Sequence, residues 1–207
     1  MKIESLVVGP IGVNCYIVFD ENTLEGIVID PGGNAGEIIK AVNDKKITVK
    51  YVVNTHGHSD HIGANTEICK AFQAKLLIHR KDKNMLIDTR DNLSFYMGMN
   101  IISQMADGFV DEGDTIEFGE IKLKVRHTPG HSAGGICLVG DGVVFSGDTL
   151  FAESIGRCDF PGGSEITLIN SIKEKILPLP DETKVFPGHG PATTVGWERK
   201  LNPYLQF

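Results

Sequence analysis

Residues 55–64 read THGHSDHIGA, and four of these ten side chains can bind a metal ion. His56 and His58 lie two positions apart after the apolar segment KYVVNT, so in an extended chain both imidazoles point the same way and can reach one metal. Asp60 and His61 fall where the chain turns into a helix, so they point elsewhere and can serve a second metal. Burying these groups without a metal would be costly, so the stretch predicts a metal site with room for two ions.

Three further candidate ligands each follow a predicted strand on a glycine-containing loop. They are His131 in HTPGH, Asp148 at the end of VVFSGD, and His189 in VFPGHGP. Loops after strand ends in a layered α/β fold are where sites are commonly built. Each residue is a weak signal alone and gains from the histidine-rich stretch. His79 and His127 lie outside any such cluster and are interpreted as structural, with a supporting role open to His127.

The rest of the chain alternates short strands with helices. KIESLVV, VNCYIVF and EGIVID are predicted strands, and Asn34 with Glu37 resembles a capping box at the start of a helix. Ser164 is predicted to cap another helix that ends near Leu177. Residues 84–107 have no clean period and are predicted to be helical and loop segments. Without a repeat or a linker, the chain is predicted to form one layered α/β domain over residues 1–207.

Composition excludes several classes of protein. The net charge of −7 argues against a nucleic-acid surface, and no apolar run approaches the roughly 18 residues of a membrane helix. No signal peptide is visible, so a cytoplasmic location without membrane contact is expected. The four cysteines are far apart in the sequence and are expected to be buried, reduced thiols.

Four motifs in the same order, THGHSDH, HTPGHSAGG, SGDTLF and FPGHGP, closely resemble those of the metallo-β-lactamase-fold hydrolases. The resemblance runs over almost the whole chain. It implies a four-layer αβ/βα sandwich with mixed sheets and a metal site at one edge of the two sheets.

The block GDTLFAESIGRCDFPGGS and the ending GHGPATT…NPYL resemble more specifically the short glyoxalase II-like proteins, the hydroxyacylglutathione hydrolase group. Carried over by position, the resemblance implies that Asp148 bridges two divalent metal ions. Zinc is the first expectation for both ions, and iron or manganese would also suit these ligands. The other ligands would be His56, His58 and His131 for one ion, and Asp60, His61 and His189 for the other.

The same resemblance implies hydrolysis of S-2-hydroxyacylglutathione or a related acyl-thiol by a metal-bridging hydroxide, with Asp60 and Asp148 as catalytic residues. Arg157 would bind the thiol-bearing part of the substrate, and a surface ion pair is an equal alternative for it. Full-length glyoxalase II carries a C-terminal helical glutathione-binding domain. Only 18 residues follow His189, so that domain is not expected here.

Two alternatives stay open and two are disfavoured. The same motifs, including the stretch Gly156–Phe160, also resemble those of persulfide dioxygenases. Those enzymes use one iron held by two histidines and one aspartate. A non-catalytic metal-binding module is an alternative of another class, although structural zinc sites are usually closed sets of cysteine and histidine. A β-lactamase is disfavoured by the absence of a signal peptide, and a nuclease by the acidic charge. The oligomeric state is left open.

Overall fold

The computed structural model describes residues 1–206 and contains two six-stranded mixed sheets. The first sheet keeps the chain order of its strands. Its first three strands pair antiparallel, and the pairing is parallel from the third strand onward. Its strands are β1 (Lys2–Val8), β2 (Val13–Phe19), β3 (Glu25–Ile29), β4 (Thr48–Val53), β5 (Lys75–His79) and β6 (Gly108–Val110).

The second sheet comes from the other half of the chain. Its strands are β7 (Thr115–Phe118), β8 (Ile121–His127), β9 (Ile136–Gly140), β10 (Val143–Gly147), β13 (Lys184–Pro187) and β14 (Thr193–Thr194). Their order in the sheet is β14-β13-β10-β9-β8-β7, and the β10–β13 pair is the parallel one. A separate hairpin consists of β11 (Leu150–Phe151) and β12 (Ser154–Ile155).

Among residues 1–206, four α-helices lie in connections between strands and a fifth follows the last strand. They are α1 (Ala35–Asp44), α2 (Ser59–Ile62), α3 (Asn65–Phe72), α4 (Glu165–Lys175) and α5 (Val195–Leu201). Two short 3-10 helices, Arg80–Leu86 and Ser94–Met97, cover residues 84–86 and 94–97 of the region for which the sequence predicts helical and loop segments, and most of that region is turn and loop.

Three apolar cores separate four layers of structure. Side chains of α1 and α3 pack against the first sheet, and side chains of α4 and α5 pack against the second. The core between the sheets contains Tyr16 and Phe145, whose ring centroids are 5.3 Å apart. The predicted four-layer αβ/βα sandwich is therefore confirmed. The prediction of a single domain over residues 1–207 stays a prediction.

Alternate side chains of strand β2 pack into two different cores. Val13, Cys15 and Ile17 face the helical layer, and Tyr16 and Val18 face the core between the sheets. A strand with both faces covered in this way can be apolar at nearly every position. Among residues 1–206, no helix has the length and apolar character needed to cross a bilayer.

Two local predictions are wrong in detail. Asn34 does precede α1, but its φ of 51° is left-handed, and its side chain makes no capping bond to the helix backbone. It accepts from Gly9 N and donates to the Glu37 side chain instead, so the capping box is absent. The predicted cap at Ser164 is confirmed, since its hydroxyl accepts from Thr167 N. All four cysteines are unpaired, but Cys158 is only partly buried.

Candidate metal centre

All seven residues predicted to be metal ligands lie at the ends of central strands, at one edge of the two sheets. His56 and His58 follow β4, and the two ligands of α2 come directly after them. His131, Asp148 and His189 follow β8, β10 and β13. Residues up to 133 positions apart in the chain therefore meet in one cluster, which the alternation of strands and loops predicts.

The first group in the cluster consists of three histidines. The Nδ1 atom of His58 lies 2.8 Å from Nε2 of His131, and that Nε2 lies 3.3 Å from Nε2 of His56. The ligand atoms of the three residues lie within 4.8 Å of one another, close enough to hold one ion. His56 and His58 point to one place, as their i, i+2 spacing predicts.

The second group contains the two ligands of α2 and the last histidine. The Nε2 atom of His189 lies 3.0 Å from Oδ2 of Asp60, and Nε2 of His61 lies 3.4 Å from the same oxygen. These ligand atoms also lie within 4.8 Å of one another. The structure thus divides the stretch His56–His61 between two groups, in the way that the sequence predicts.

Asp148 lies between the two groups. Its Oδ1 is 3.4 Å from Nε2 of His61, and its Oδ2 is 3.6 Å from Nε2 of His131 and 3.8 Å from Nε2 of His189. Gly188 leaves the room that this arrangement needs, because a Cβ there would collide with Asp148 Oδ1. This position suits the bridging role that was predicted for Asp148.

The chemistry of the cluster fits metal ions. His61 Nε2 and Asp148 Oδ1 are buried and have no hydrogen-bond partner. Buried polar atoms without partners are costly, and a metal would satisfy both. In the first group, imidazole nitrogens face one another at 2.8 and 3.3 Å, an arrangement in which several lone pairs converge on one point. That these seven residues bind metal stays a prediction.

The electrostatics favour the ligand forms of three of these side chains, His56, His58 and Asp60. Burial, followed by the charges of His61 and His131, holds the pKa of His56 well below its ordinary value. Burial and then His131 lower the pKa of His58 to about 3, so both imidazoles are neutral near pH 7 and keep a lone pair. Burial alone would raise the pKa of Asp60, but His61 and His189 lower it, and Asp60 is ionised. Burial alone would lower the pKa of His61 and His189, but the carboxylates of Asp60 and Asp148 raise it in the absence of a metal.

Asp30 helps to hold two of the candidate ligands in place, a role that the sequence analysis did not predict. Its Oδ2 lies 3.0 Å from Nδ1 of His61 and also accepts from the Thr55 hydroxyl. The Thr55 hydroxyl in turn lies 3.1 Å from Nδ1 of His56. Such contacts orient histidine ligands. The available signal was the place of Asp30 at the end of the strand predicted for EGIVID, directly after β3 in the structure.

Asp82 connects the two loops that carry the first group, and the sequence reading missed it as well. Its carboxylate accepts from Gly57 N at 3.2 Å, from the Ser132 hydroxyl at 2.6 Å and from Gly134 N at 2.6 Å. Asp82 is 1% exposed. The side chain therefore fixes the loop after β4 relative to the loop after β8.

The loop that carries His189 is held by β2. The Asn14 side chain donates to Pro187 O and Gly190 O, and the Tyr16 hydroxyl donates to Pro187 O at 2.6 Å. The first sheet thus positions a ligand that the second sheet supplies.

A cavity of about 590 Å³ opens over the cluster, and Arg157 lines it. The guanidinium also forms a two-point ion pair with Asp159, with distances of 3.0 and 2.8 Å. Both interpretations of Arg157 therefore have a basis in the structure. Its backbone carbonyl lies 2.7 Å from Nδ1 of His131, so this residue also orients a predicted ligand.

His79 and His127 lie outside the three groups that could hold a metal among residues 1–206. Their rings stack on each other, with centroids 4.2 Å apart and an interplanar angle of 4°. This contact agrees with the structural role that was predicted for both.

Comparison with known proteins identifies the family. The sequence profile of the metallo-beta-lactamase superfamily matches residues 8–189. The chain is 40% identical over 207 residues to an uncharacterized protein of Aquifex aeolicus, with 99% of this chain and 97% of that protein covered. It is 37% identical to the probable metallo-hydrolase YqgX of Bacillus subtilis and 34% identical to the hydroxyacylglutathione hydrolase GloC of Haemophilus influenzae, with 99% of this chain and 98% of each relative covered.

Solved structures agree with the sequence relatives. The BLEG-1 B3 metallo-beta-lactamase is 36% identical and superposes with a TM-score of 0.95, with both chains fully covered. TTHA1623 in a di-iron-bound form is 32% identical with a TM-score of 0.87, over 98% of this chain and 100% of that one. ETHE1 from Myxococcus xanthus is 27% identical with a TM-score of 0.81, over 98% and 84%. The chain belongs to the metallo-beta-lactamase superfamily.

Proposed function

We propose that the protein is a metal-dependent hydrolase of thioesters, with two divalent metal ions in the cluster. The proposed substrate class is S-2-hydroxyacylglutathione or a related acyl-thiol. The observation that carries the proposal is the position of Asp148 between two three-ligand groups in the wall of an open cavity. The 34% identity to a hydroxyacylglutathione hydrolase adds support for the substrate class.

The metal ions would be held by the seven residues of the cluster, and zinc, iron and manganese all suit histidine and carboxylate ligands. When bound, such ions lower the pKa of water and polarise a carbonyl group as Lewis acids. The cluster lies where β4, β8, β10 and β13 end, so the rigid sheets fix its geometry.

The chain's own side chains position the reactants. Asp60 Oδ2 is an ionised acceptor beside His61 and His189, so it can orient the attacking water through a hydrogen bond. The water oxygen forms a bond to the thioester carbon, and the C–S bond breaks with its electron pair on sulfur. The products are a carboxylic acid and a thiol. Because a thiolate leaves readily, the reaction requires no protein acid at the sulfur.

Replacing Asp148 with asparagine tests the proposal. Asp148→Asn keeps the shape of the side chain but removes the charge between the two groups. We expect a fall of more than about 100-fold in kcat/KM for thioesters, with an unchanged circular dichroism spectrum. Asp141→Asn, the same change on an exposed turn at the other end of β10, is the matched control and should keep full activity. A wild-type protein loaded with metal but inactive on every thioester would contradict the proposal and favour a metal-binding module.

A second candidate function is that of a persulfide dioxygenase with one iron. The observation that favours it is the group His56, His61 and Asp148, whose ligand atoms lie within 4.8 Å of one another and form a set of two histidines and one carboxylate. Oxygen uptake with glutathione persulfide tests this candidate directly.

A third candidate, hydrolysis of β-lactams, is favoured by the 36% identity to the BLEG-1 structure. Hydrolysis of a chromogenic cephalosporin by the metal-loaded protein tests it.

A further inference from the structure

The walls of the cavity over the cluster are largely apolar. Leu93, Tyr96 and Met97 line it from the region of the second 3-10 helix. Three more residues, Phe151, Phe160 and Pro161, line it from the segment after β10. Aromatic and aliphatic side chains thus surround the candidate metal centre, in the manner of sites that bind the apolar part of a small molecule.

Several of these apolar side chains face water. Tyr96 is 69% exposed, Ile11 at the same cavity is 53% exposed, and Met97 is 44% exposed. Leaving large apolar side chains together in solvent forgoes hydrophobic stabilisation that a bound apolar group would supply. Asn92 anchors this wall, because its side chain donates to Met85 O and Ile101 O at 2.9 Å. The wall is therefore held in place beside the cluster.

The cavity has few cationic side chains that could bind a charged thiol. Among its lining residues within 1–206, Arg157 is the one lysine or arginine. Asp159 already occupies the Nε and Nη2 edge of its guanidinium, whose Cζ lies 4.4 Å from the ring centroid of Phe160. A glutathione moiety carries two carboxylates, which would need cationic or N–H partners here.

We propose that the acyl-thiol substrate of this site has an apolar acyl group and an uncharged thiol part. This inference rests on the proposed thioesterase function and, within its substrate class, favours a related acyl-thiol over S-2-hydroxyacylglutathione. Leu93, Tyr96 and Phe160 contact the apolar portion, and the cluster takes the thioester carbonyl. Hydrolysis then proceeds as above, with one water consumed and one carboxylic acid and one thiol released.

Four thioesters test separately the preference for an apolar acyl group and the preference for an uncharged thiol. They combine a hexanoyl or a lactoyl group with N-acetylcysteamine or glutathione, and kcat/KM is measured for each with the metal-loaded protein. We expect S-hexanoyl-N-acetylcysteamine to exceed S-lactoylglutathione by about tenfold or more. Equal values, or a preference for S-lactoylglutathione, would overturn the inference and leave the thioesterase function standing. Hydrolysis of none of the four would overturn both.

A variant of the wall tests the location of the apolar subsite. Tyr96→Ala should lower kcat/KM for S-hexanoyl-N-acetylcysteamine about fivefold to tenfold. It should change kcat/KM for the short-chain thioester S-acetyl-N-acetylcysteamine less than about twofold. Ile166→Ala on α4, 76% exposed and away from the cavity, is the control and should change neither. Equal loss on both substrates, or no loss on either, would place the acyl group elsewhere and overturn the assignment.

Discussion

The hydroxyl of Ser132 donates to Oδ2 of Asp82 across 2.6 Å, and this bond joins the loop after β8 to the region that packs under the loop after β4. Asp82 also accepts from the backbone of Gly57 and Gly134, so one buried carboxylate fixes both sides of the first histidine group. The candidate centre therefore depends on a residue that is not itself one of the predicted ligands.

Replacing Asp82 with asparagine should loosen this connection. An amide has one acceptor oxygen, so at least one of the three donors loses its partner. We expect the free energy of unfolding to fall by about 1–3 kcal/mol and metal affinity to fall by about tenfold or more. Chemical denaturation and a competitive chelator titration measure the two effects. Asp91→Asn, an exposed position in the same region, should change neither. Unaltered metal affinity in Asp82→Asn would contradict this role.

Asp30→Asn should act on the other half of the centre. Asp30 Oδ2 lies 3.0 Å from Nδ1 of His61, so the change weakens the orientation of that imidazole. We expect the metal content to fall from near two ions per chain toward one, with the ion of the His61 group lost first. Elemental mass spectrometry after dialysis measures the number of metal ions per chain. Retention of both ions at wild-type affinity would show that Asp30 does not orient His61.

Phe145→Ala should destabilise the interface between the sheets. Phe145 is fully buried and contacts both Tyr16 and Phe186, with ring centroids 5.3 and 5.4 Å away. Removing a buried phenylalanine ring costs about 3–5 kcal/mol. Urea denaturation should show this loss, and Ile166→Ala, which is exposed on α4, should lie within about 0.5 kcal/mol of wild type. A loss in Phe145→Ala as small as in the control would mean that this interface contributes little.

The stacked pair of His79 and His127 predicts a pH effect on stability. Burial and then the charge of His127 lower the pKa of His79 from 6.5 to about 4. Between these values the unfolded chain binds more protons than the folded chain, so stability falls as the pH drops from about 6.5 toward 4. His79→Asn removes this titration and keeps an acceptor for Lys81 N. The wild type should therefore lose more unfolding free energy than the variant over this range, as measured by denaturation at several pH values. Identical losses would contradict the lowered pKa.

The sequence indicates which candidate ligands lie together because four of them fall within six positions and the other three each follow a strand. The supporting carboxylates were missed because their contacts are long-range: Asp82 bonds to Ser132 50 residues away, and Asp30 bonds to Thr55 25 residues away. The apolar wall was missed for another reason. It lies on a four-residue 3-10 helix, which has no helical period for a sequence pattern to reveal. The Asn34 cap failed because the side chain of this left-handed residue bonds to Gly9 N and to the Glu37 carboxylate and not to the helix backbone.

The number and identity of bound metal ions test the central claim most directly. The protein would be purified without oxygen and without added metal, and metals per chain would be measured by elemental mass spectrometry. Two three-ligand groups with Asp148 between them predict close to two ions per chain, whether zinc, iron or a mixture. Close to one iron per chain and no other metal would contradict the binuclear thioesterase and favour the persulfide dioxygenase.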